Sequence, residues 1–268
     1  MSKQRHAALR RQSTVLRITK SLARLTLPLV PLRIYNPVYA VRRYGETIRD
    51  LWRYRTMDGA EPIRITNLRP CIFDKTSTSE GGSEYLYQDT WAAGKIFLHK
   101  PAFHVDVAST IYLVTIVSQF TKTLSIDFRP LLVDLPNLLC LGADMCSLPL
   151  ENDSLESLSS LSVVEHIGLG RYGDPLNPKG TDQACAELAR VLKPQGNLYV
   201  AVPVEGTPAV HFNAHRTFSP EAFCAKFPGL QLLEARFALA SGLVELDEWD
   251  ALKRPYAYGC FHLTKPSH

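Results

Sequence analysis

From residue 102 onward, short runs of apolar residues alternate with stretches in which apolar side chains recur every three or four positions. This texture predicts strands at 103–107, 123–127, 138–142, 157–164, 197–202, 230–238 and 256–263. A helix over 182–192 separates the fourth and fifth, because Cys185, Leu188, Ala189 and Leu192 share one face and Lys193-Pro194-Gln195-Gly196 stops it. Strands alternating with helices signal βαβ units and a largely parallel sheet, here with a late pair able to form an antiparallel hairpin.

The first hundred residues read differently. Asn36 before Pro37 forms an N-cap signal, and Val38, Val41, Tyr44, Ile48, Leu51 and Trp52 then recur at spacings of three and four. This predicts an amphipathic helix to about Tyr54, with Arg42, Arg43, Arg49, Arg53 and Arg55 over its remaining surface. The Ser/Thr/Gly run 76–83 is a loop, and 85–97 is again helical through Leu86, Trp91, Ala92 and Ile96. The longest uncharged run, 107–121, holds six Ser, Thr or Gln residues and reads as a buried strand-to-helix segment.

Overall charge is close to balanced, +4 over 268 residues, but its distribution changes the picture. Residues 1–60 hold 13 Lys/Arg against 3 Asp/Glu, and the remainder holds 17 against 23. The chain therefore divides into a basic helical arm, 1–68, and an acidic α/β domain, 69–268. An arm of net +10 calls for an anionic partner, either a membrane surface or nucleic acid. Nucleic acid is the weaker candidate, since no aromatic-basic recognition module accompanies the charge. The apolar stretch 25–32 contains Pro28 and Pro31 and falls far short of the roughly 20 residues a spanning helix needs. A basic start without a compact apolar core is not a secretory signal, so a cytoplasmic protein, peripheral at the inner membrane face, is expected. Cys71, Cys140, Cys146, Cys185, Cys224 and Cys260 form no Cys-x-x-Cys pair and lie among apolar residues, which predicts buried thiols rather than a disulfide framework or a metal site.

Candidate chemistry gathers at the predicted strand ends. In an open α/β sheet, ligands bind beyond the carboxyl ends of the strands. The first strand ends His104-Val105-Asp106-Val107-Ala108-Ser109, the second at Asp127, and the third runs into Gly142-Ala143-Asp144-Met145. An acid some twenty residues after the first strand's acid can accept from two ribose hydroxyls, and an acid beside an apolar residue can take an adenine amine. Each acid alone is equally a cap or a solvated loop residue. After the fourth strand come Glu165-His166 and a glycine-rich loop with Arg171 and Asp174. His166 either moves a proton or caps the strand, and Arg171 and Asp174 either orient a polar substrate or bridge each other. Following the fifth strand, Asn213, His215 and Arg216 either serve a substrate or hold their loop.

Several of these blocks resemble one family. The order of Asp106, Asp127, Asp144, Val163-Val164-Glu165-His166 and 189–198 is similar to the class I S-adenosylmethionine methyltransferases. More narrowly, 87–91, 104–109, 165–175 and 212–218 resemble a methyltransferase-like family known as a domain of unknown function, over about 69–265. The resemblance implies a Rossmann-like seven-stranded sheet, mostly parallel, with helices on both faces, and a link to surface-polysaccharide assembly. It also implies S-adenosyl-L-methionine as cofactor, with Asp106, Ala108 and Ser109 at its methionine end, Asp127 at the ribose, and Asp144 and Met145 at the adenine. Glu165, His166 and His215 become candidate catalytic residues, and Arg171, Asp174, Asn213 and Arg216 candidate substrate contacts. One departure stands out: Ala108 occupies the place of a glycine, where a left-handed φ would cost alanine about 1–2 kcal/mol.

The expected function is methyl transfer to a sugar hydroxyl of a surface glycan or its precursor. A non-catalytic scaffold that keeps the fold without the cofactor is the alternative. A nicotinamide-linked sugar enzyme ranks below both, because the first predicted strand does not run into a Gly-x-Gly-x-x-Gly and the chain has no Tyr-x-x-x-Lys pair.

Overall fold

The computed structural model describes residues 37–64, 66, 68–72 and 84–267. These fall into two compact units, within Met1–Glu80 and Gly81–His268. The apolar stretch 25–32 and the loop 76–83 lie outside the described residues.

In the first unit, helix α1 (Pro37–Arg55) realises the predicted amphipathic segment. Its apolar stripe splits in two: Ile48, Leu51 and Tyr54 face a small groove shared with Ile63, Leu68 and Pro70. Val41 and Trp52 stay in solvent at 65% and 61% exposure.

The second unit is built on one sheet. After α2 (Glu84–His99) the chain runs β1 (Phe103–Val107), α3 (Ile111–Val117), β2 (Lys122–Asp127), β3 (Leu138–Gly142), β4 (Leu155–Leu161), α4 (Gly180–Val191) and β5 (Leu192–Val204). Then follow β6 (Val210–His211), β7 (His215–Arg216), α5 (Pro220–Cys224), β8 (Gln231–Leu239), β9 (Gly242–Val244), α6 (Leu246–Ala251) and β10 (Ala257–Thr264). The main sheet has eight strands in the order β3-β2-β1-β4-β5-β10-β8-β9. Strands β1 to β5 pair in parallel, whereas β10 is antiparallel to both β5 and β8. The chain thus starts in the middle and reverses direction across the sheet at β1/β4, the switch point of a Rossmann-like fold. The expected hairpin partners β8 and β10 do pair, and β9 is a short eighth strand that alternation alone did not mark.

Burial on both faces explains why β5 reads as a continuous apolar run from Leu198 to Val204, whereas β1 and β4 bury His104, Asp106, Ser157, Ser159 and Ser160 among their apolar residues. Val105, Val107, Leu158, Val200 and Val202 pack with Leu188 and Phe223 in one layer, and Leu161, Tyr199 and Ala201 pack under Trp91, Ala92 and Ile96 of α2 in the other. Leu86, assigned by spacing to the same face of α2, is 47% exposed.

Two boundaries shift. β4 stops at Leu161, because Ser162 takes a left-handed φ of 57° and turns Val163 and Val164 into the following loop. Lys193–Gly196 does not separate helix from strand but forms an irregularity inside β5, with Gln195 at φ 62° donating to Lys265 O at 2.7 Å. Of the cysteines only Cys185 and Cys260 are buried, and Cys71 is exposed, so apolar neighbours in sequence overstated their burial.

Candidate active site

The site begins with a buried acid that shapes a turn. Asp106 is fully enclosed, and its carboxylate accepts the Ser109 N–H at 3.0 Å, the Ser109 hydroxyl at 2.6 Å and the Ser159 hydroxyl. Burial pushes its pKa up to about 6 against the pull of those hydrogen bonds. Behind it, the His104 ring spans Ser157 Oγ at 2.8 Å and Ser159 Oγ at 3.0 Å, and burial lowers its pKa to about 3, keeping it neutral. Pulled back towards Asp106, the chain turns sharply after β1, and Ala108 sits at φ 60°, the left-handed conformation that glycine adopts freely. Asp106 therefore stands behind the wall that Ala108 and Ser109 form, holding the loop rather than facing a ligand.

That wall bounds a cavity of about 470 Å³ at the carboxyl ends of β1 to β4. Ala108, Ser109, Asp127, Asp144, Met145 and His166 all line it. Asp127 spends Oδ1 on the Arg129 N–H at 2.7 Å, and Asp144 spends Oδ1 on the Cys146 N–H at 2.8 Å, so each turn fixes its own acid. Asp89 accepts the Thr110 hydroxyl at 2.6 Å and buried Gln88 accepts the Ser162 hydroxyl at 2.8 Å, tying α2 to the two left-handed turns after β1 and β4. These ties give the 87–91 block a structural meaning that its sequence alone did not.

His166 occupies the far wall. Its Nδ1 lies 2.6 Å from Ala214 O, so a neutral ring carries its proton there and presents Nε2 as a lone pair. Burial is the main cause that lowers its pKa to about 4. Glu165 is buried with Oε1 3.5 Å from that Nε2, and its Oε2 has no hydrogen-bond partner among the described residues. Burial raises the Glu165 pKa to about 8, so both members of the pair favour their uncharged forms.

The remaining candidates separate by geometry. Asp174 lines the cavity but spends Oδ2 on the Gly168 and Gly170 N–H groups and Oδ1 on that of Tyr172, so it builds the loop and does not bridge Arg171. Gly168 is obligatory there, since at φ 80° a Cβ would stand 1.9 Å from Asn177 O. Arg216 Nη1 donates to Glu165 O at 3.3 Å, Ile167 O at 2.8 Å and Thr181 Oγ1 at 3.1 Å, which commits that nitrogen to the loop after β4 and the start of α4. Asn213, at φ 62°, reaches Leu169 O at 3.4 Å, and Arg171 holds Ala214 O at 3.1 Å. His215 is outside the cavity wall, in ring contact with His166, His211 and Tyr256. Tyr172, which lies in the 165–175 block but was assigned no role, and Arg129, unmarked by motif or spacing, also line the cavity. Among the described residues no group of three His, Cys, Asp or Glu side chains is arranged to hold a metal ion.

Residues 150–247 match the family described as "Caenorhabditis protein of unknown function, DUF268". That span contains both 165–175 and 213–218, the two blocks of the resemblance that meet at His166 and Ala214. No curated protein sequence matches the chain. Solved structures similar to it include a 1,6-didemethyltoxoflavin-N1-methyltransferase of Burkholderia thailandensis, 11% identical, covering 70% of this chain and 80% of that one with a TM-score of 0.49. A putative sarcosine dimethylglycine methyltransferase of Galdieria sulphuraria is 14% identical over 68% of this chain and 86% of that one, TM-score 0.48. The [4+2]-cyclase SpnF is 14% identical over 67% and 80%, TM-score 0.48. The strand order gives the second unit a Rossmann-like fold, and the matching family model covers residues 150–247 of it.

Proposed function

We propose that the chain is an S-adenosylmethionine-dependent methyltransferase acting on a sugar hydroxyl of a surface glycan or its precursor. The observation that carries this reading is the cavity itself, lined by the acids of β2 and β3 and by His166, whose Nε2 also faces Glu165 Oε1 at 3.5 Å. Its 470 Å³ falls within the roughly 300–1,000 Å³ of small-molecule sites. Asp127 keeps Oδ2 for ribose hydroxyls, and Asp144 keeps Oδ2 for an exocyclic amine beside the apolar wall of Met145. Ala108 retains φ 60° although that costs an alanine about 1–2 kcal/mol, and strain retained at a ligand cavity supports a loop still shaped for a ligand.

The cofactor, when bound, supplies a methyl group on a positively charged sulfur that leaves as a neutral thioether. The chain's own part is the proton. As the acceptor oxygen forms its bond to carbon, His166 Nε2 takes the hydroxyl proton, and the Nδ1–H bond to Ala214 O fixes the ring for that step. The proton then rests on His166, with Glu165 Oε1 facing the imidazolium 3.5 Å from Nε2. The His215 ring beside His166, with the Tyr256 ring against it, supplies a face on which a sugar ring can pack. The arm holds this activity at the cytoplasmic face of an anionic membrane. Among the described residues no helix is long and apolar enough to cross a membrane.

Calorimetric titration with S-adenosylhomocysteine is the direct test: binding is expected, and silence would leave the scaffold alternative, which the Ala108 Cβ on the cavity wall favours. Preference for NAD would overturn both.

A further inference from the structure

Tyr172 carries two guanidinium groups on its ring. Arg129 Cζ lies 4.8 Å from the ring centroid and Arg171 Cζ lies 5.0 Å from it. Arg129 comes from the turn after β2 and Arg171 from the loop after β4, so the tyrosine joins the two sides of the cavity mouth. Among the described residues neither arginine has a carboxylate partner, although residues 61–268 hold 23 acids against 17 bases. Arg171 uses Nη1 on Ala214 O and faces His166 Nδ1 at 3.4 Å, while the Arg129 side chain makes no hydrogen bond among the described residues. The charge of Arg171 also helps hold His166 and His215 in their neutral forms. Two cations without an ion-pair partner among the described residues thus share one tyrosine of the cavity lining, beside Asp127 and Asp174, whose carboxylates accept backbone N–H groups, and they offer planar forks suited to oxyanions.

We infer that this mouth binds a phosphoryl group, and that the acceptor is a phosphorylated or diphosphate-linked sugar. A carboxylate would neutralise one of the two arginines, whereas a phosphate ester brings a charge of about −1.5 to −2 at neutral pH. The word acceptor rests on the methyl-transfer reading, but the anion site does not.

The test is calorimetric titration of the full chain with sodium pyrophosphate and with glucose 1-phosphate, each with and without saturating S-adenosylhomocysteine. Both probes should bind, with affinity falling as salt rises and with no competition from S-adenosylhomocysteine; methyl glucoside, the uncharged control, should bind at least tenfold more weakly than glucose 1-phosphate. Arg129→Gln should weaken both anions at least tenfold with an unchanged melting temperature. Silence of both anions, salt-independent binding by the native chain, displacement by S-adenosylhomocysteine, or equal affinity in Arg129→Gln would each overturn the site. Sedimentation with phosphatidylcholine vesicles, with and without phosphatidic acid, separates the sources. Pelleting on phosphatidic acid that Arg129→Gln abolishes assigns a lipid-borne phosphate, and an Arg129-dependent titration without it assigns a soluble one. S-adenosylhomocysteine titrated alone judges the methyl-transfer reading separately, so either can fail without the other.

Discussion

His166 Nδ1 lies 2.6 Å from the carbonyl oxygen of Ala214, a residue 48 positions away in the β6–β7 hairpin. This bond separates the two histidines that the sequence left equivalent. His166 lines the cavity with its proton fixed on Nδ1 and its Nε2 beside Glu165, whereas His215 stands outside the lining among aromatic rings. His166→Gln is expected to lower the methyl-transfer rate by roughly 10²–10⁴ with little change in S-adenosylhomocysteine affinity, and His215→Gln to cost far less. Single-turnover rates for both variants check this; equal losses would return the proton to either ring.

Ala108 offers a stability test that needs no substrate. Glycine at φ 60° escapes about 1–2 kcal/mol of left-handed strain. It also adds about 0.4–1 kcal/mol of chain entropy to the unfolded state. Ala108→Gly should therefore stabilise the protein by up to about 1 kcal/mol and tighten S-adenosylhomocysteine by removing a methyl from the cavity wall. Urea unfolding and calorimetry read the two effects; a destabilised variant with weaker binding would show that the loop depends on the alanine side chain.

Asp127 holds its turn through Oδ1 and keeps Oδ2 for the ligand. Asparagine can preserve the first role while losing the charge, whereas alanine loses both. Asp127→Ala is expected to weaken S-adenosylhomocysteine by about 1.5–3 kcal/mol, the range for a hydrogen bond to a charged group. Asp127→Asn should fall between that variant and the native chain. Unaltered affinity in a folded Asp127→Ala protein would remove the residue from the site.

Glu165 gives a pH signature. Burial raises its folded pKa to about 8 from an ordinary 4.5, so the folded state keeps a proton that the unfolded chain releases. Stability owed to the protonated form is complete below about pH 4.5 and is lost as pH rises through 8. Relative to native protein, Glu165→Gln, which cannot ionise, should gain stability progressively across that window and level off above it. His104, His166 and His262 act with the opposite sign: burial lowers their folded values to about 3, 4 and 4, so stability falls as pH drops below 6.5. Denaturant midpoints for both proteins at several pH values measure the difference, and a gap that does not change between pH 5 and 8 would place a charged Glu165 in the fold.

Much of the sheet was legible because β1, β2 and β3 end where an apolar run meets an acid, and β8 and β10 begin within one residue of their predicted starts. The acids were equally visible, but their division of labour was not. Asp106 and Asp127 look alike in sequence, and only the Ser109 and Ser159 hydroxyls closing on Asp106 turn it into a buried loop-former. Arg216 carried no sign that it would be consumed by the carbonyls of Glu165 and Ile167, because those contacts join segments some fifty residues apart. Tyr172 and Arg129 escaped for the same reason: each is an ordinary loop residue until the sheet brings β2 and β4 ends to one mouth.

The arm supplies the last expectation. Residues 1–60 carry net +10, and in α1 the apolar Val41 and Trp52 remain in solvent beside Arg42, Arg49 and Arg53. Within the first unit Ile48, Leu51 and Tyr54 turn towards a groove that Val41 and Trp52 do not line. Exposed apolar side chains interleaved with arginines suit the interface of an anionic bilayer, where each basic residue contributes about 1 kcal/mol within a Debye length and apolar insertion adds a salt-insensitive part. The full chain should pellet with anionic vesicles at low salt and retain part of that binding at high salt, whereas a chain beginning at Glu61 should remain in the supernatant. Val41→Ser with Trp52→Ser should remove the salt-resistant part alone. Equal sedimentation of the full and shortened chains would end the membrane role, and binding of the full chain that salt abolishes entirely would reduce it to charge attraction without insertion.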